Sequence, residues 1–506
     1  MSGPLTKSVV RGAGWTGISQ IMQQGFHLLA MIVLARLLVP DDFGVASMAI
    51  IFTSIAVAVF DLGLNQAIIQ RKEITESHLS TTFWLVLFMG IIFCVAIVAA
   101  SPWVAKFFRN DTVGPVLAVA SISCIICPLG SVHGALLRKR LDFFRFSVAE
   151  ATAAVVYLAT AVSMAFAGFG VWSIVAGGLA NDATYVTMRW ILCRWHPSFT
   201  FSISSLKDLW SFGMNQTGTK LIEIIDQRMD YLIIGRFLSA AALGFYNLGL
   251  RVTTMPSQYL RFIITRVAFP AFSTIQDEDT RLRRGYLKGV AFISIIGLPL
   301  FVGLVIVAPE FIRVIFGQKW ELTILPMQIL CAAVAFRVLG LAVPSLMLSK
   351  GRPDILLKIS LTRLVLLVGA LLLGVRYGTV GVAIALSSVE AVIWPIQQIL
   401  ANRLIGLRMK DYMVSVYPAV LGCSVMAVIL IGFRYTVTSL FTLPDIAVLV
   451  ILVVLGIIAY FATLKLTKIE SFSEMLGLLQ ELIKPFFRPA MLKIGIVKED
   501  RHTDTK

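Results

Sequence analysis

Charge is scarce in this chain. Asp, Glu, Lys and Arg make up 14% of its 506 residues, and only 28 of those are acids. A soluble globular chain carries roughly a quarter charged residues, so this composition excludes an ordinary water-exposed surface. Six cysteines, Cys94, Cys124, Cys127, Cys193, Cys331 and Cys423, all fall inside apolar runs. Cys124 and Cys127 have C-x-x-C spacing but no second pair and no charged neighbours, so they read as two small buried hydrophobes and imply no disulfide framework. The five histidines show no metal spacing, and no phosphate-binding loop is present, hence no ATPase in this chain. Two motif matches fail on context. "GAGWTG" at Gly12–Gly17 fits G-x-G-x-x-G without a preceding strand, and "DED" at Asp277–Asp279 sits in a short loop with no catalytic domain around it.

What fills the chain instead is apolar: 58% of residues are hydrophobic, mean hydropathy is +0.86, and long apolar runs recur from end to end. A membrane-spanning helix needs about 20 mainly apolar residues. Fourteen candidates are present, at 13–37, 44–69, 80–101, 113–137, 148–167, 171–193, 213–236, 244–266, 287–308, 322–348, 356–375, 379–401, 413–433 and 444–465. Spanning strands would be shorter and would alternate, and in lipid only helices or closed barrels satisfy every backbone group. The reading is an all-α integral membrane protein of about 14 transmembrane helices. The first is taken as retained, because it is too long for a signal-peptide core and lacks a small-residue cleavage site.

Lys and Arg in short loops set orientation. One side holds Lys7, Arg11, Arg71, Lys72, "RKRLDFFR" from Arg138, Arg194, Lys207, Arg281, Arg283, Arg284, Lys288, Lys350, Arg352, Arg403, Arg408 and Lys410. The other side is sparse. Both termini are therefore expected in the cytoplasm, which an even number of spans requires. The net charge of +16 is spread over loops at every crossing, so it reflects orientation and not nucleic-acid binding.

An internal repeat follows. "LARLLVPDDFGVAS" (34–47) and "IGRFLSAAALGFYN" (234–247) align Arg36 with Arg236, Leu38 with Leu238 and Gly44 with Gly244 at a constant offset of 200. Each closes the first span of a group of six, and six being even, both copies lie the same way up. The expected organisation is a bundle over 1–198, a second over 199–404, two appended helices over 405–468 and a cytoplasmic tail over 469–506.

The stretch "KLIEIIDQRMDYLIIGRFL" (220–238) places acids inside an otherwise spanning helix. At about 100° per residue, Gln216, Thr219, Lys220, Glu223, Asp226, Gln227 and Asp230 share an arc of roughly 120°. The first span answers with Gln20, Gln23, Gln24 and His27 on one face. Such a stripe is either polar glue between helices or the lining of an aqueous path, since ionisable groups at mid-membrane cost several kcal/mol and mark transport routes. Other mid-span charges fit the second reading: Asp61, Asp182, Arg251, Arg261, Arg337, Arg363 and Glu390. Arg363 can also snorkel, and Arg337 can simply bridge to Glu390. Pro256, Pro326 and Pro344 are expected to interrupt helices that carry these arginines.

"FDLGLNQAIIQRKE" (Phe60–Glu73), "DYLIIGRFLSAAALGFYNLGLRVTTMPSQYLRFI" (Asp230–Ile263) and "RVAFPAFSTIQDE" (Arg266–Glu278) resemble the bacterial polysaccharide exporters of the multidrug/oligosaccharidyl-lipid/polysaccharide flippase superfamily, in the branch of lipopolysaccharide, teichuronic acid and colanic acid exporters. The resemblance covers spans 1 to 12. It implies two six-helix bundles plus two helices in the bacterial inner membrane. It also implies the flipping of an undecaprenyl-pyrophosphate-linked oligosaccharide to the periplasmic leaflet, without enzymatic activity or a cofactor beyond a coupling H⁺ or Na⁺. Implied partners are that lipid-linked glycan, the bilayer and the polysaccharide polymerase machinery.

Family members carry cationic cavity residues, and Lys220, Arg251, Arg261, Arg337 and Arg363 can play that part. A diphosphate cannot cross hydrocarbon unaided and suits guanidinium forks. Gln20, Gln23, Gln24, His27, Gln216 and Gln227 offer polar groups to sugar, and Asp61, Asp182, Glu223, Asp226, Asp230 and Glu390 are candidates for ion coupling. Two alternatives stand beside this reading. In a drug/cation antiporter the acids would bind the substrate directly. A polysaccharide polymerase or glycosyltransferase would call for a large catalytic loop or domain that the chain lacks.

Overall fold

The computed structural model describes residues 22–440 and 443–467. Among them every regular element is helical, which is how an apolar chain closes its own backbone hydrogen bonds where no water can. Helix α1 occupies 22–37. It is followed by α2 (Pro40–Phe60), α3 (Leu64–Gln70), α4 (Glu76–Phe108), α5 (Val113–Ala120), α6 (Ser123–Leu129), α7 (Ser131–Lys139), α8 (Phe143–Phe166), α9 (Val171–Leu192), α10 (Ile203–Phe237), α11 (Ala240–Thr274) and α12 (Asp279–Ile315). A 3₁₀ turn (Gln318–Thr323) leads to α13 (Ile324–Leu339), α14 (Val343–Ser349), α15 (Pro353–Gly374), α16 (Gly378–Leu404), α17 (Met409–Leu440) and α18 (Asp445–Leu466).

Eight stretches among the described residues are long and apolar enough to cross a membrane. The pair Val113–Leu129 and Ser131–Lys139, bent by 42°, makes a ninth. The protein is a multi-pass membrane protein. Helix α10 falls outside this group because Lys220, Glu223, Asp226, Arg228 and Asp230 interrupt its apolar run.

Several expected spans are broken. The span at 44–69 divides at Asp61–Gly63, where Leu62 and Gly63 take positive φ. The span at 113–137 divides into α5, α6 and α7, and that at 322–348 into α13 and α14. Hydrophobic periodicity alone did not reveal these breaks, although Asp61 and Gly63, Ser121 and Ser123, Gly130 and Ser131, and Gly340 stand at them. Proline meets the expectation in one place only: the span at 322–348 breaks just before Pro344, which lies in the first turn of α14, whereas Pro326 lies in the first turn of α13, where a missing N–H costs nothing, and α11 continues past Pro256.

The chain gathers into two compact units. The first holds the described residues up to Arg251, with Ile312–Pro326 and Leu364–Ala385. Its close packing centres on the start of α2 and the start of α11. Gly44 leaves no room for a side chain against the backbone of Ala240, and Gly244 leaves none against Pro40, so the two repeated segments meet in reciprocal fashion. Asn247 donates to Ser47 Oγ, again residues 200 apart. Trp320, fully buried, lies edge-on to Phe43 at 5.2 Å and to Phe245 at 5.9 Å, and its Nε1 donates to the Ala35 carbonyl at 2.8 Å. Arg36 donates to the Val314 and Ile315 carbonyls, and Lys319 to those of Arg36 and Leu38. Cations thus satisfy carbonyls at the C-terminal ends of α1 and α12, where the helix dipole favours positive charge.

The second unit holds Val252–Phe311, Met327–Arg363 and the described residues from Leu386. Its core is apolar, with Tyr286, Phe301, Tyr412 and Leu452 among the buried residues. Buried hydroxyls there find carbonyl or amide partners: Tyr412 donates to Leu339 O, Tyr460 to Ile295 O and Tyr286 to Gln398 Oε1.

Candidate functional site

A cavity of about 220 Å³ opens within the first unit. Helix α1 contributes His27, Met31 and Leu34, α2 contributes Phe43, Ala46, Ser47 and Ile50, α8 contributes Tyr157, α9 contributes Ile174 and Gly178, and α11 contributes Asn247 and Arg251. The apolar residues shape it, and five polar side chains give it chemistry. His27 and Tyr157 meet with ring centroids 5.2 Å apart. Among the described residues the lining includes one guanidinium and no carboxylate.

Behind the cavity lies a hydrogen-bond chain. Tyr231 Oη donates to Asn247 Oδ1 at 3.1 Å, and Asn247 in turn donates to Ser47. Tyr246 Oη donates to Asp230 Oδ2 at 2.9 Å, while the Tyr231 backbone N–H donates to Asp230 Oδ1 at 2.8 Å. Asp230 is 5% exposed. Its negative charge is held by donors inside the protein and not offered to a substrate, the arrangement a buried carboxylate requires.

The residues singled out from the sequence separate into groups. His27 and Arg251 come together in the cavity. Gln20 lies outside the described residues, as does the side chain of Gln216, and Gln23 and Gln24 are half-buried on α1. Lys220 Nζ stands 3.7 Å from Asp61 Oδ2, and Asn65 donates to the same carboxylate. Gln227 donates to Glu223 Oε1 at 3.2 Å along the exposed face of α10, with Asp226 half-buried one turn away. Asn181 donates to Asp182 at 3.2 Å.

The remaining group lies in the second unit. Glu390 Oε1 accepts from Arg337 Nε at 2.7 Å and from Arg363 Nη2 at 2.7 Å. One carboxylate, 5% exposed at its side chain, thus faces two guanidinium groups. Arg363 is held there and does not snorkel. Arg261 is exposed on α11.

Sequence reasoning missed Tyr157, Ser47 and Asn247. The last two had a signal: they are the final aligned pair of the repeated segments at offset 200. Arg189 was missed as well. It is buried on α9, with its guanidinium 3.7 Å from the Tyr185 ring centroid and Nη1 donating to Gly130 O at 3.1 Å.

Residues 33–325, which contain most of the cavity lining, match the family model described as polysaccharide biosynthesis protein. The chain belongs to this family. Within the polysaccharide biosynthesis protein family it is 30% identical over 418 residues to the lipopolysaccharide biosynthesis protein WzxC of Escherichia coli K12, covering 82% of this chain and 85% of that one. It is 32% identical over 356 residues to the teichuronic acid biosynthesis protein TuaB of Bacillus subtilis 168, covering 69% and 73% respectively. The fold is shared with the structure of the lipid II flippase MurJ in its inward closed conformation, at a TM-score of 0.71 and 11% identity, over 94% of this chain and 99% of that one. The resemblance drawn from Phe60–Glu73, Asp230–Ile263 and Arg266–Glu278 is borne out, and so is the all-α membrane fold.

Proposed function

We propose that this family member is a transporter that moves a polyprenyl-pyrophosphate-linked oligosaccharide from the cytoplasmic to the outer leaflet of the bacterial inner membrane, for surface polysaccharide synthesis. The observation that carries this reading is the cavity itself: Arg251 stands among the neutral hydrogen-bonding groups of Ser47, Asn247 and Tyr157, with no carboxylate among the described residues of the lining. A guanidinium fork suits a phosphate oxygen pair, and hydroxyl and amide groups suit sugar. The relatives' names, lipopolysaccharide and teichuronic acid biosynthesis, and the flippase whose fold is shared, support the same substrate class.

An antiporter for organic cations would need an acid in the cavity, and Asp230 is turned into the protein by Tyr246. In this account both termini are cytoplasmic and the chain is organised as two six-helix repeats with two appended helices. The pairing of Gly44 with Ala240 and of Gly244 with Pro40 supports such a repeat. The driving ion is H⁺ or Na⁺, with Glu223, Asp226 or Asp61 as its site, and a polysaccharide polymerase takes the product.

The test is substitution of the fork. Arg251→Ala removes a charge-assisted contact worth about 1.5 to 3 kcal/mol, so surface polysaccharide falls and lipid-linked oligosaccharide accumulates on the cytoplasmic leaflet while membrane levels of the protein hold. Arg251→Lys rescues in part, since it keeps the charge and loses the fork. Normal export by Arg251→Ala would overturn the role of the fork, and efflux of an organic cation by the wild type that is lost in Glu223→Gln, with surface polysaccharide unaffected, would favour the cation antiporter.

A further inference from the structure

A second cavity, of about 550 Å³, lies away from the first, where α7 ends, α8 begins and α9 ends; its lining is Arg140, Arg145, Arg194, Ile191 and Leu192. Three guanidinium groups around one hollow repel one another unless something negative stands between them. The neighbouring cations show what a structural role looks like here. Arg138 lies over the Phe146 ring at 4.7 Å, and Lys139 donates to the carbonyls of Ile68 and Arg71. Arg145 reaches Asp142 at 3.4 Å, but that carboxylate also caps α8 by accepting from the Arg145 backbone N–H. Arg140 and Arg194 are exposed, and among the described residues no carboxylate lies within ion-pair distance of either.

The backbone is bent to make this hollow. Leu141 closes the C-terminal end of α7 with φ +56°, and the Asp142 N–H returns to Leu137 O at 3.0 Å. That closure ordinarily takes glycine, because a Cβ disfavours the left-handed region. Here a leucine holds it. The turn carries Arg140 past the end of α7 and brings α8 back so that Arg145 faces the same hollow as Arg194 of the α9 end. Around it the surface is apolar: Ile191 is 59% exposed, Phe144 51% and Leu141 45%. A cationic hollow rimmed by exposed aliphatic and aromatic side chains matches a molecule with a phosphate at one end and hydrocarbon at the other.

We propose that Arg140, Arg145 and Arg194 form a binding site for the phosphodiester headgroup of an anionic phospholipid of the cytoplasmic leaflet, with the acyl chains lying against Ile191 and Phe144. The leaflet rests on the orientation proposed above, in which the Lys/Arg-rich loops are cytoplasmic. Anionic lipid is concentrated there, and basic hollows between membrane helices on that side hold such headgroups. The site is separate from the substrate cavity, so occupancy stabilises the α7–α9 region and does not compete for Arg251.

The experiment needs binding alone, and so its outcome is independent of transport. Full-length protein in detergent is titrated with phosphatidylglycerol, phosphatidylcholine or glycerol phosphate, with thermal unfolding and native mass spectrometry as readouts. Phosphatidylglycerol is expected to raise the unfolding temperature and to remain bound, whereas phosphatidylcholine and glycerol phosphate do neither at equal phosphate concentration. Each arginine near the surface contributes about a fivefold effect. Arg140→Ala with Arg194→Ala should therefore weaken phosphatidylglycerol binding about 25-fold, and the corresponding double lysine variant should keep most of it. If the double alanine variant fails to fold, Arg194→Gln alone should lose about fivefold. Equal binding of phosphatidylglycerol by wild type and variants overturns the proposal, as does equal binding of phosphatidylcholine. Glycerol phosphate binding as well as the lipid would make this a site for soluble anions and overturn the lipid assignment.

Discussion

A methyl group at Gly44 should force apart the crossing of α2 and α11. A Cβ built there would stand 2.8 Å from Cα of Ala240 and nearer still to its carbonyl group. Unstrained carbon–carbon contacts lie at about 3.5 to 4.0 Å, so the Cα clash alone demands a separation of about 1 Å and the nearer carbonyl group demands more. The obstacle is main chain, and no side-chain rotation relieves it. Overpacking typically costs about 1 to 3 kcal/mol. With no rotamer escape, about 3 kcal/mol is reasonable for Gly44→Ala, and that changes the balance between closed and parted crossings about a hundredfold.

Parting also strains the bond from Asn247 to Ser47, which joins α11 to α2 across this crossing. The assay is a single cysteine at Ala46, in the cavity lining, in a background without other cysteines, with its rate of labelling by a membrane-impermeant maleimide. Gly44→Ala should raise that rate at least tenfold. Gly244→Ala, whose Cβ would meet the Pro40 backbone, should act alike, and the pair should be less than additive because one parting serves both. An unchanged labelling rate at unchanged protein level would refute the idea that the repeated segments close the cavity.

Other outcomes follow from single groups. Glu390→Gln leaves Arg337 and Arg363 facing each other without a carboxylate; breaking such a partly buried pairing costs about 3 to 5 kcal/mol, and the unfolding temperature in detergent should fall, with Arg337→Met in the same chain restoring part of it. Asp208, on the part of α10 that precedes the expected span, is held below the usual carboxylate range by the His78 hydrogen bond and by Arg71. A depressed carboxylate stabilises above its unfolded pKa and loses that contribution as pH falls through the folded value. Proteolysis of 198–208 should therefore accelerate only below about pH 4, and Asp208→Asn should be equally susceptible at neutral pH. Trp320→Phe keeps the ring contacts and leaves the Ala35 carbonyl without its donor, a loss of about 1 to 3 kcal/mol to be read as a lower unfolding temperature.

The helical class and the membrane were legible because apolar runs of span length have one solution in lipid. The offset of 200 linking Gly44 with Gly244 marked a repeat, but that the two segments touch there is a tertiary contact recorded only in the structure. Broken helices were not read from the sequence: Asp61, Gly63 and Asn65 stand at the first turn, but a membrane helix tolerates single glycines and single polar residues, so only the backbone torsions record that the chain turns there. Charges were correctly located along the chain, but their partners were half seen. Glu390 with Arg337 was weighed as a bridge, whereas Arg363 as its third member and Asp61 as the partner of Lys220 depend on tertiary contacts with no sequence period. Asp230 looked like a cavity acid by helical angle. What turned it inward is Tyr246, sixteen residues away on the next helix. A helical wheel reports direction around one axis and says nothing about which neighbour stands there.

The most direct measurement of the central claim is leaflet transfer in vesicles containing the purified full-length protein and a polyprenyl-pyrophosphate-linked oligosaccharide, with a membrane-impermeant reagent that modifies only the sugar on the outside. With an imposed H⁺ or Na⁺ gradient, wild type should expose sugar beyond the initially accessible fraction, and Arg251→Ala should slow that exposure about tenfold or more, as the loss of one charge-assisted contact requires. Vesicles in which the accessible fraction never changes, while an organic cation is exchanged for the driving ion, would contradict the account.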